Sequence, residues 1–368
     1  MYNLLFISSS LGFGGASKVL CFIAEALAER DYRVHIVSLN NTRDVTSFRR
    51  EISPKIRVHA LPDVPDGIRR HWPVVKAIRK IAEEEKIDAI LSFTTYPGMY
   101  AAIVGKLLHI PTIMSERGDP SKTNGKGLKS RLAVFLINRS TGGVFQIEGA
   151  RAFYGRRLQK RSVVIPNPIF VSAPAEPLSQ GEREKTVVSV GRLDNEQKRY
   201  DVMLEAFRLF HESHPEYTLK LYGRGNDEER IRRWAADLGI ADCVRFPGLT
   251  QNAMSDIRRD GIFVITSDYE GISNALLEAM AVGLPCVSTD HTPGGARLLI
   301  QDRSNGLLAP IGDARAIAAC LCAFADDPSL AERCANNARD VARRFAPDRI
   351  VDMWDQYIKD VIRRDRKK

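Results

Sequence analysis

The stretch Ile262-Phe263-Val264-Ile265-Thr266-Ser267-Asp268-Tyr269-Glu270-Gly271-Ile272-Ser273-Asn274-Ala275-Leu276-Leu277-Glu278-Ala279-Met280-Ala281-Val282-Gly283-Leu284-Pro285-Cys286-Val287 decides the fold. An apolar strand ends in polar residues, a helix follows, Gly283-Leu284-Pro285 stops it, and another strand begins. Glu270 falls in the loop between strand and helix, and Glu278 lies inside the helix with seven residues between them. Carboxylates so placed can face the crevice at the C-terminal ends of parallel strands, where open α/β sheets bind ligands. The helix start offers unpaired N–H groups to an anion. A carboxylate beside a phosphate site suits sugar or ribose hydroxyls, because charged acceptors make the stronger hydrogen bonds.

Working outward, strand and helix alternate through both halves of the chain. Strands are expected at 4–9, 33–39, 89–93, 112–115 and 163–165, with helices at 16–30, 73–85 and 100–108. The pattern restarts at 186–190, with a helix at 200–211 and strands at 217–222 and 244–246. The last helices are expected at 314–325, 329–344 and from Pro347 onward, where Ile350, Trp354, Tyr357 and Val361 recur at helical spacing. Such alternation argues for doubly wound parallel sheets. The Pro-rich run Ala173-Pro174-Ala175-Glu176-Pro177 reads as the linker between two domains.

Composition agrees with two soluble globular domains: 368 residues, 44% apolar and 27% charged. No apolar run reaches the roughly 18–20 residues of a spanning helix, and the N-terminus reads as a strand and not a signal peptide. Cys21, Cys243, Cys286, Cys320, Cys322 and Cys334 show neither a CxxC pair nor metal-ligand spacing, so reduced thiols are expected. Charge is uneven. Residues 1–170 carry 26 Lys and Arg against 14 Asp and Glu, and the rest of the chain 28 against 31. A basic first half suits an anionic partner such as a membrane surface or diphosphate lipid. Nucleic acid fits less well, since no binding motif accompanies the charge.

Several strand-end loops carry candidate chemistry. Gly191-Arg192-Leu193-Asp194-Asn195-Glu196-Gln197-Lys198-Arg199 follows the 186–190 strand, where Arg192 and Lys198 can hold a diphosphate. Gly12-Phe13-Gly14-Gly15-Ala16-Ser17 joins the first strand to the first helix and permits close backbone approach. Ser17 replaces the third glycine of a dinucleotide fingerprint and Asn40-Asn41 replaces the ribose-binding acid, which disfavours a nicotinamide or flavin. Gly223-Arg224-Gly225, Leu249-Thr250 and Gly294-Gly295 are further turns at strand ends. Ser115-Glu116-Arg117 closes a first-half strand, and the segment from Lys122 to Arg139 mixes Lys122, Lys126, Lys129, Arg131 and Arg139 with Leu128, Leu132 and Phe135, a composition open to membrane contact or to packing on the domain. No Asp-x-Asp, metal-ligand set or hydrolase triad emerges, and no metal is expected.

The Glu270–Glu278 segment resembles the E-x7-E signature of family 4 retaining glycosyltransferases, and the likeness runs from Gly14-Gly15 to the last helix. It implies a GT-B fold: two Rossmann-like domains, 1–170 for the acceptor and 171–346 for the donor, facing across a cleft, with helix 347–368 crossing back to the first. It implies sugar transfer from a nucleotide donor, preferably UDP, with retention and without a metal or other cofactor. Arg192 and Lys198 would stabilise the departing diphosphate, Glu270 would position the sugar and Glu278 would hold the ribose. Gly271, Ile272, Ser273 and Asn274, with Gly14, Gly15, Gly223, Arg224, Gly225, Leu249, Thr250, Gly294 and Gly295, would line the donor site. Glu116 and Arg117 would lie on the acceptor side; Arg117 stands where many relatives carry His, which favours anion contact over a histidine-assisted step. Ser115-Glu116-Arg117, Phe145-Gln146-Ile147-Glu148 and Pro293-Gly294-Gly295-Ala296 narrow the likeness to bacterial enzymes that extend lipid-linked oligosaccharides at the inner membrane face, among them N-acetylgalactosaminyltransferases. A sugar-nucleotide epimerase or hydrolase of the same fold, and a non-catalytic membrane or polyanion binder, remain as alternatives.

Overall fold

The computed structural model describes residues 1–11, 14–40, 52–59, 61, 71–124, 127–171, 178–250 and 253–367. Gly12, Phe13, Asn41, Lys126, the Ala173–Pro177 linker and Lys368 lie outside the described residues. The chain divides into two compact units, Met1–Pro168 with Pro347–Lys368, and Ile169–Ala346.

The first unit is built on seven strands: β1 (Tyr2–Ser8), β2 (Tyr32–Ser38), β3 (Ile56–His59), β4 (Ala89–Phe93), β5 (Thr112–Glu116), β6 (Gly142–Phe145) and β7 (Ser162–Val164). Every pairing is parallel, in the order β3-β2-β1-β4-β5-β6-β7. Leu4, Leu5, Phe6 and Ile7 in succession are fully buried, because helices cover both faces of a parallel sheet. Helix Gly15–Ala28 lays Val19, Leu20, Ile23, Ala24 and Leu27 inward. The sheet reverses its order between β1 and β4, where the loops after these strands meet at Ser9 Oγ and Thr94 Oγ1, 3.4 Å apart.

The terminal helix Pro347–Arg366 belongs to this first unit. It buries Ile350, Val351, Trp354, Ile358, Val361 and Ile362. Trp354 stacks on Phe93 of β4 with centroids 5.8 Å apart and planes 10° from parallel. Tyr32 donates to Asp355 at 2.7 Å, and the Tyr357 hydroxyl accepts the Gly143 amide at 2.9 Å.

The second unit repeats the architecture with six parallel strands: β8 (Thr186–Val190), β9 (Thr218–Tyr222), β10 (Val244–Gly248), β11 (Ile262–Ile265), β12 (Cys286–Thr289) and β13 (Leu307–Ala309). Their order is β10-β9-β8-β11-β12-β13, the doubly wound arrangement, with the reversal between β8 and β11. Val187, Leu219, Ile262, Val264 and Val287 pack with Phe207, Phe210, Leu321 and Phe324 in its core. The expected 329–344 helix is two helices, Pro328–Ala338 and Val341–Arg344. Asp327 caps the first by accepting the Leu330 amide at 3.0 Å, and Pro328 stands at its first turn. Among the described residues no helix is long and apolar enough to cross a membrane.

Candidate active site

The reversal between β8 and β11 leaves a crevice at their C-terminal ends, flanked by loops leaving in opposite directions. The loop after β8 carries Lys198, and the loop after β11 carries Glu270. The two side chains meet there as an ion pair. Glu270 also accepts the Ser267 hydroxyl at 2.8 Å, and its amide donates to Thr292 O at 2.8 Å. Burial pushes the Glu270 carboxyl up, but the Lys198 charge, His291 and the hydrogen bonds from Lys198 and Ser267 outweigh it, so the group sits below its ordinary value and stays ionised.

The backbone beneath Lys198 is fixed by its neighbour. Arg199 occupies the left-handed region at φ 53°, a strained position for a side chain of its size. Its guanidinium offsets this by pairing with Asp201 and with Asp268 of the β11 loop, both at 3.0 Å. Thr266 Oγ1 donates to Lys198 O at 2.8 Å, and Gln197 Nε2 to Tyr269 O at 2.9 Å. The loops after β8 and β11 are thus joined by side chains at four points, the Lys198–Glu270 pair among them.

Glycines bring the other loops together. A Cβ on Gly223 would lie 1.8 Å from Gly191 O, one on Gly225 2.1 Å from Leu193 O, and one on Gly295 1.7 Å from Gly271 O. No other residue permits these approaches. The Gly223 amide donates to Gly248 O at 2.9 Å, so the loops after β8, β9, β10, β11 and β12 line one edge of the sheet. Gly294, at φ 109°, starts the short helix Gly295–Leu299. Ser273 caps helix Asn274–Ala281 by accepting the Leu276 amide at 3.4 Å, and Gly271 and Ile272 are buried beneath it. Asn274 is half-buried and Glu278 is 8% exposed. Arg192 is not drawn into the Lys198–Glu270 pair; its side chain is 67% exposed and reaches Asp194 at 3.3 Å. Arg224 and Leu249 are exposed, and Thr250 pairs with Asp256.

In the first unit, Gly14 and Gly15 open helix Gly15–Ala28 and are exposed. Glu116 and Arg117 sit together at the end of β5 without forming a side-chain ion pair among the described contacts. Glu116 instead accepts the Arg117 and Gly118 amides at 2.9 and 3.2 Å and the Tyr154 hydroxyl at 2.7 Å. Burial raises its carboxyl, against those three hydrogen bonds. The Arg117 guanidinium, 5.2 Å from Phe93 and 5.3 Å from Trp354, lies over both rings and donates to Ser115 and Asn167. Burial pulls it down to about 9, opposed by the Glu116 charge. At 8% exposure this arginine is part of the packing that seats the terminal helix.

Sequence reasoning passed over Ser267 and His291, which flank Glu270. The only signal is position, since Ser267 lies within the stretch quoted first and His291 just ahead of Pro293-Gly294-Gly295-Ala296. Among the described residues one group, His35, His59 and Glu85, gathers three metal-ligating side chains. The imidazoles already share a 3.0 Å hydrogen bond, and Arg57 holds Glu85 at 2.6 Å.

Two parallel sheets of this order, each with its loops gathered at the reversal, define an α/β protein of the GT-B class. The model of Glycosyltransferase Family 4 matches residues 13–172 and that of Glycosyl transferases group 1 residues 175–341, together almost the whole chain. The chain is a glycosyltransferase that carries both of these family domains. It is 25% identical over 367 residues to the GalNAc-α-(1→4)-GalNAc-α-(1→3)-diNAcBac-PP-undecaprenol α-1,4-N-acetyl-D-galactosaminyltransferase of Campylobacter jejuni, covering 98% of this chain and 99% of that one. It is 23% identical over 351 residues to an uncharacterized glycosyltransferase of Haemophilus influenzae, covering 95% and 97%. Anabaena HepE, solved in complex with UDP-glucose, shares the fold with a TM-score of 0.82 over 98% of this chain and 100% of that one, at 19% identity.

Proposed function

We propose that this glycosyltransferase moves a hexose or N-acetylhexosamine from UDP to a polyprenyl-diphosphate-linked saccharide, with retention and without a metal. The observation that carries the reading is the half-buried Lys198–Glu270 pair at the β8–β11 reversal, a cation and an ionised carboxylate fixed where a nucleotide sugar's diphosphate and sugar would meet. The Campylobacter enzyme's lipid-linked substrate and the UDP-glucose in HepE support the choice of acceptor and donor.

In this mechanism Lys198 and Arg192 neutralise charge as the bond from the sugar's anomeric carbon to the diphosphate breaks. The acceptor hydroxyl attacks the same face, and its proton passes to a diphosphate oxygen. Glu278 holds the ribose, Glu270 orients the sugar, and the amides of Gly294, Gly295 and the Gly271–Asn274 turn line the pocket. Fixing these groups before reaction lowers the barrier without reorganisation.

The proposed acceptor is lipid-borne, and helix Leu128–Ile137 suits a membrane surface. Leu128, Leu132 and Phe135 are 83%, 53% and 51% exposed, at spacings that place them on one side. Lys129, Arg131 and Arg139 are exposed among them. Apolar side chains amid cations match an anionic bilayer interface.

The test offers UDP- and GDP-sugars with polyprenyl-diphosphate saccharides and scores product mass and nucleotide release. A glycosylated lipid from one UDP-sugar, with its anomeric configuration kept and its yield unchanged by EDTA, is the expected result. Inversion at the anomeric carbon, or loss of transfer in EDTA, would overturn the corresponding part of the mechanism.

A further inference from the structure

Arg199 is the joint between two helices, ending Asn195–Lys198 and starting Tyr200–His211. Its φ and ψ, both 53°, lie in the left-handed region, which glycine enters freely and a long side chain does not. A residue needed only to turn the chain here would be served by glycine. The side chain that stands here instead spans both loops of the reversal. Nε and one terminal nitrogen each donate to an Asp201 oxygen at 3.0 Å, and the other terminal nitrogen reaches the two Asp268 oxygens at 3.2 and 3.0 Å. Both aspartates are themselves tied to the β8 loop: the Asp201 amide donates to Asn195 Oδ1 and the Asp268 amide to Gln197 O, each at 3.0 Å. The hydroxyl of Thr266, a fully buried residue, lies 2.8 Å from Lys198 O and 3.1 Å from Arg199 O, one O–H shared between the two carbonyls.

Lys198 precedes this joint, and its ammonium pairs with Glu270, two residues beyond Asp268. The Lys198–Glu270 pair and the Arg199–Asp268 bridge therefore cross between the same two loops. A lysine carries its charge on a flexible four-carbon stem, so where the charge stands depends on how firmly its backbone is held. In the reaction proposed above, on which this step rests, that charge must already stand where the diphosphate's charge develops. A displacement of about 1 Å there can cost on the order of 100-fold in rate. We infer that Arg199 is a positioning residue: its bridge from Asp201 to Asp268 fixes the Lys198 backbone against the Glu270 loop and so sets where the Lys198 ammonium stands during sugar transfer. It takes no part in bond making or proton transfer and acts through Lys198. Backbone strain kept at such a site by surrounding contacts that over-determine it is what functional strain looks like.

The experiment is a double-mutant cycle on the whole protein, with kcat and KM for the UDP-sugar measured for Arg199→Gly, Lys198→Met and the pair together. Glycine keeps the left-handed joint and removes the bridge. Arg199→Gly should lower kcat at least about tenfold and leave KM within about threefold, because the loss falls on the transition state. Lys198→Met should lower kcat further still. In the Lys198→Met background, Arg199→Gly should change kcat by less than about twofold, since a residue that acts through Lys198 has nothing left to position. A folded Arg199→Gly protein with native kcat overturns the inference, and so does an equal loss in both backgrounds, which would mark a general structural role; either result leaves the glycosyltransferase site intact. Should Arg199→Gly fail to fold, Asp268→Ala, which leaves the joint and the Arg199–Asp201 pair in place, decides by the same cycle. A Lys198→Met protein with native kcat, or a native protein that uses no UDP-sugar, removes the proposed role of Lys198 or of the donor, and this inference with it.

Discussion

Glu270 keeps its charge in a place where burial alone would remove it. Unfolded, the carboxyl returns to its ordinary value; folded, Lys198, His291 and Ser267 hold it lower. Between the two values the unfolded chain binds more protons, so this group's stabilisation is complete above the ordinary carboxylate range and is lost as pH falls through the folded value. The difference in urea midpoint between the native protein and Glu270→Gln should therefore narrow as pH falls below about 5, through the ordinary carboxylate range; a constant difference would show that the pair does not titrate with folding. Glu116 has the opposite sign, since its carboxyl is raised and its contribution falls as pH rises, but both proteins retain it and it cancels from the comparison. Glu278→Gln keeps size and removes charge from a helix position that is 8% exposed. If it holds the ribose, kcat/KM for the nucleotide sugar should fall about 10- to 100-fold, the worth of one charge-assisted hydrogen bond. The melting temperature should move by no more than about 2 °C. A folded variant with native donor use would remove that role.

At the scale of elements, what holds the site together is backbone against backbone. Gly223→Ala and Gly295→Ala each drive a methyl into a carbonyl oxygen, so each should destabilise the second unit by about 2 kcal/mol or more in denaturant titration. Gly14→Ala is the contrast. Its φ of 178° is extended backbone and nothing lies within 4 Å of the added carbon, so the cost should stay below about 1 kcal/mol. A neutral Gly295→Ala would mean that the turn adapts. These glycines were legible as turns because their strands were: β4, β8 and helix Tyr200–His211 fall at their expected bounds, carried by strong apolar patterning. Helix Glu228–Asp237 escaped notice because only Ile231 and Ala235 are buried, and its charged face is tied by Glu228–Arg232 at 2.8 Å. The short strands β3 and β13 offered too few residues for a period to show. In the site, Glu270 and Lys198 were legible from their place after apolar strands. Ser267 and His291 were not, because what each touches is decided by the crossing of loops from β11 and β12. Arg117 could not be read as buried from its own segment, since the rings that enclose it come from β4 and the terminal helix.

For the whole molecule, the last helix is part of the first fold. Trp354 is fully buried against Phe93 and Arg117, so Trp354→Ala should cost the first unit about 3–5 kcal/mol while the unfolding of the second unit stays in place. Urea unfolding followed by near-ultraviolet circular dichroism and by protease susceptibility of each unit would separate the two; equal loss in both would contradict the division. Exposed residues of helix Leu128–Ile137 give a second whole-protein test. Joint change of Lys129 and Arg131 to Gln and of Leu132 and Phe135 to Ser should reduce sedimentation with phosphatidylglycerol vesicles at least fivefold, and undiminished sedimentation would remove this helix from any membrane contact. The chain leaves the first unit after Pro168 and re-enters it at Pro347, and inside the second unit the Ile169 amide donates to Phe345 O at 3.0 Å, so departure and return lie side by side. During synthesis the ribosome therefore begins the N-terminal fold, delivers an entire second fold, and only then releases the segment that completes the first. The fold begun first is the last to be finished, and a premature stop near the end of the message injures the beginning of the protein.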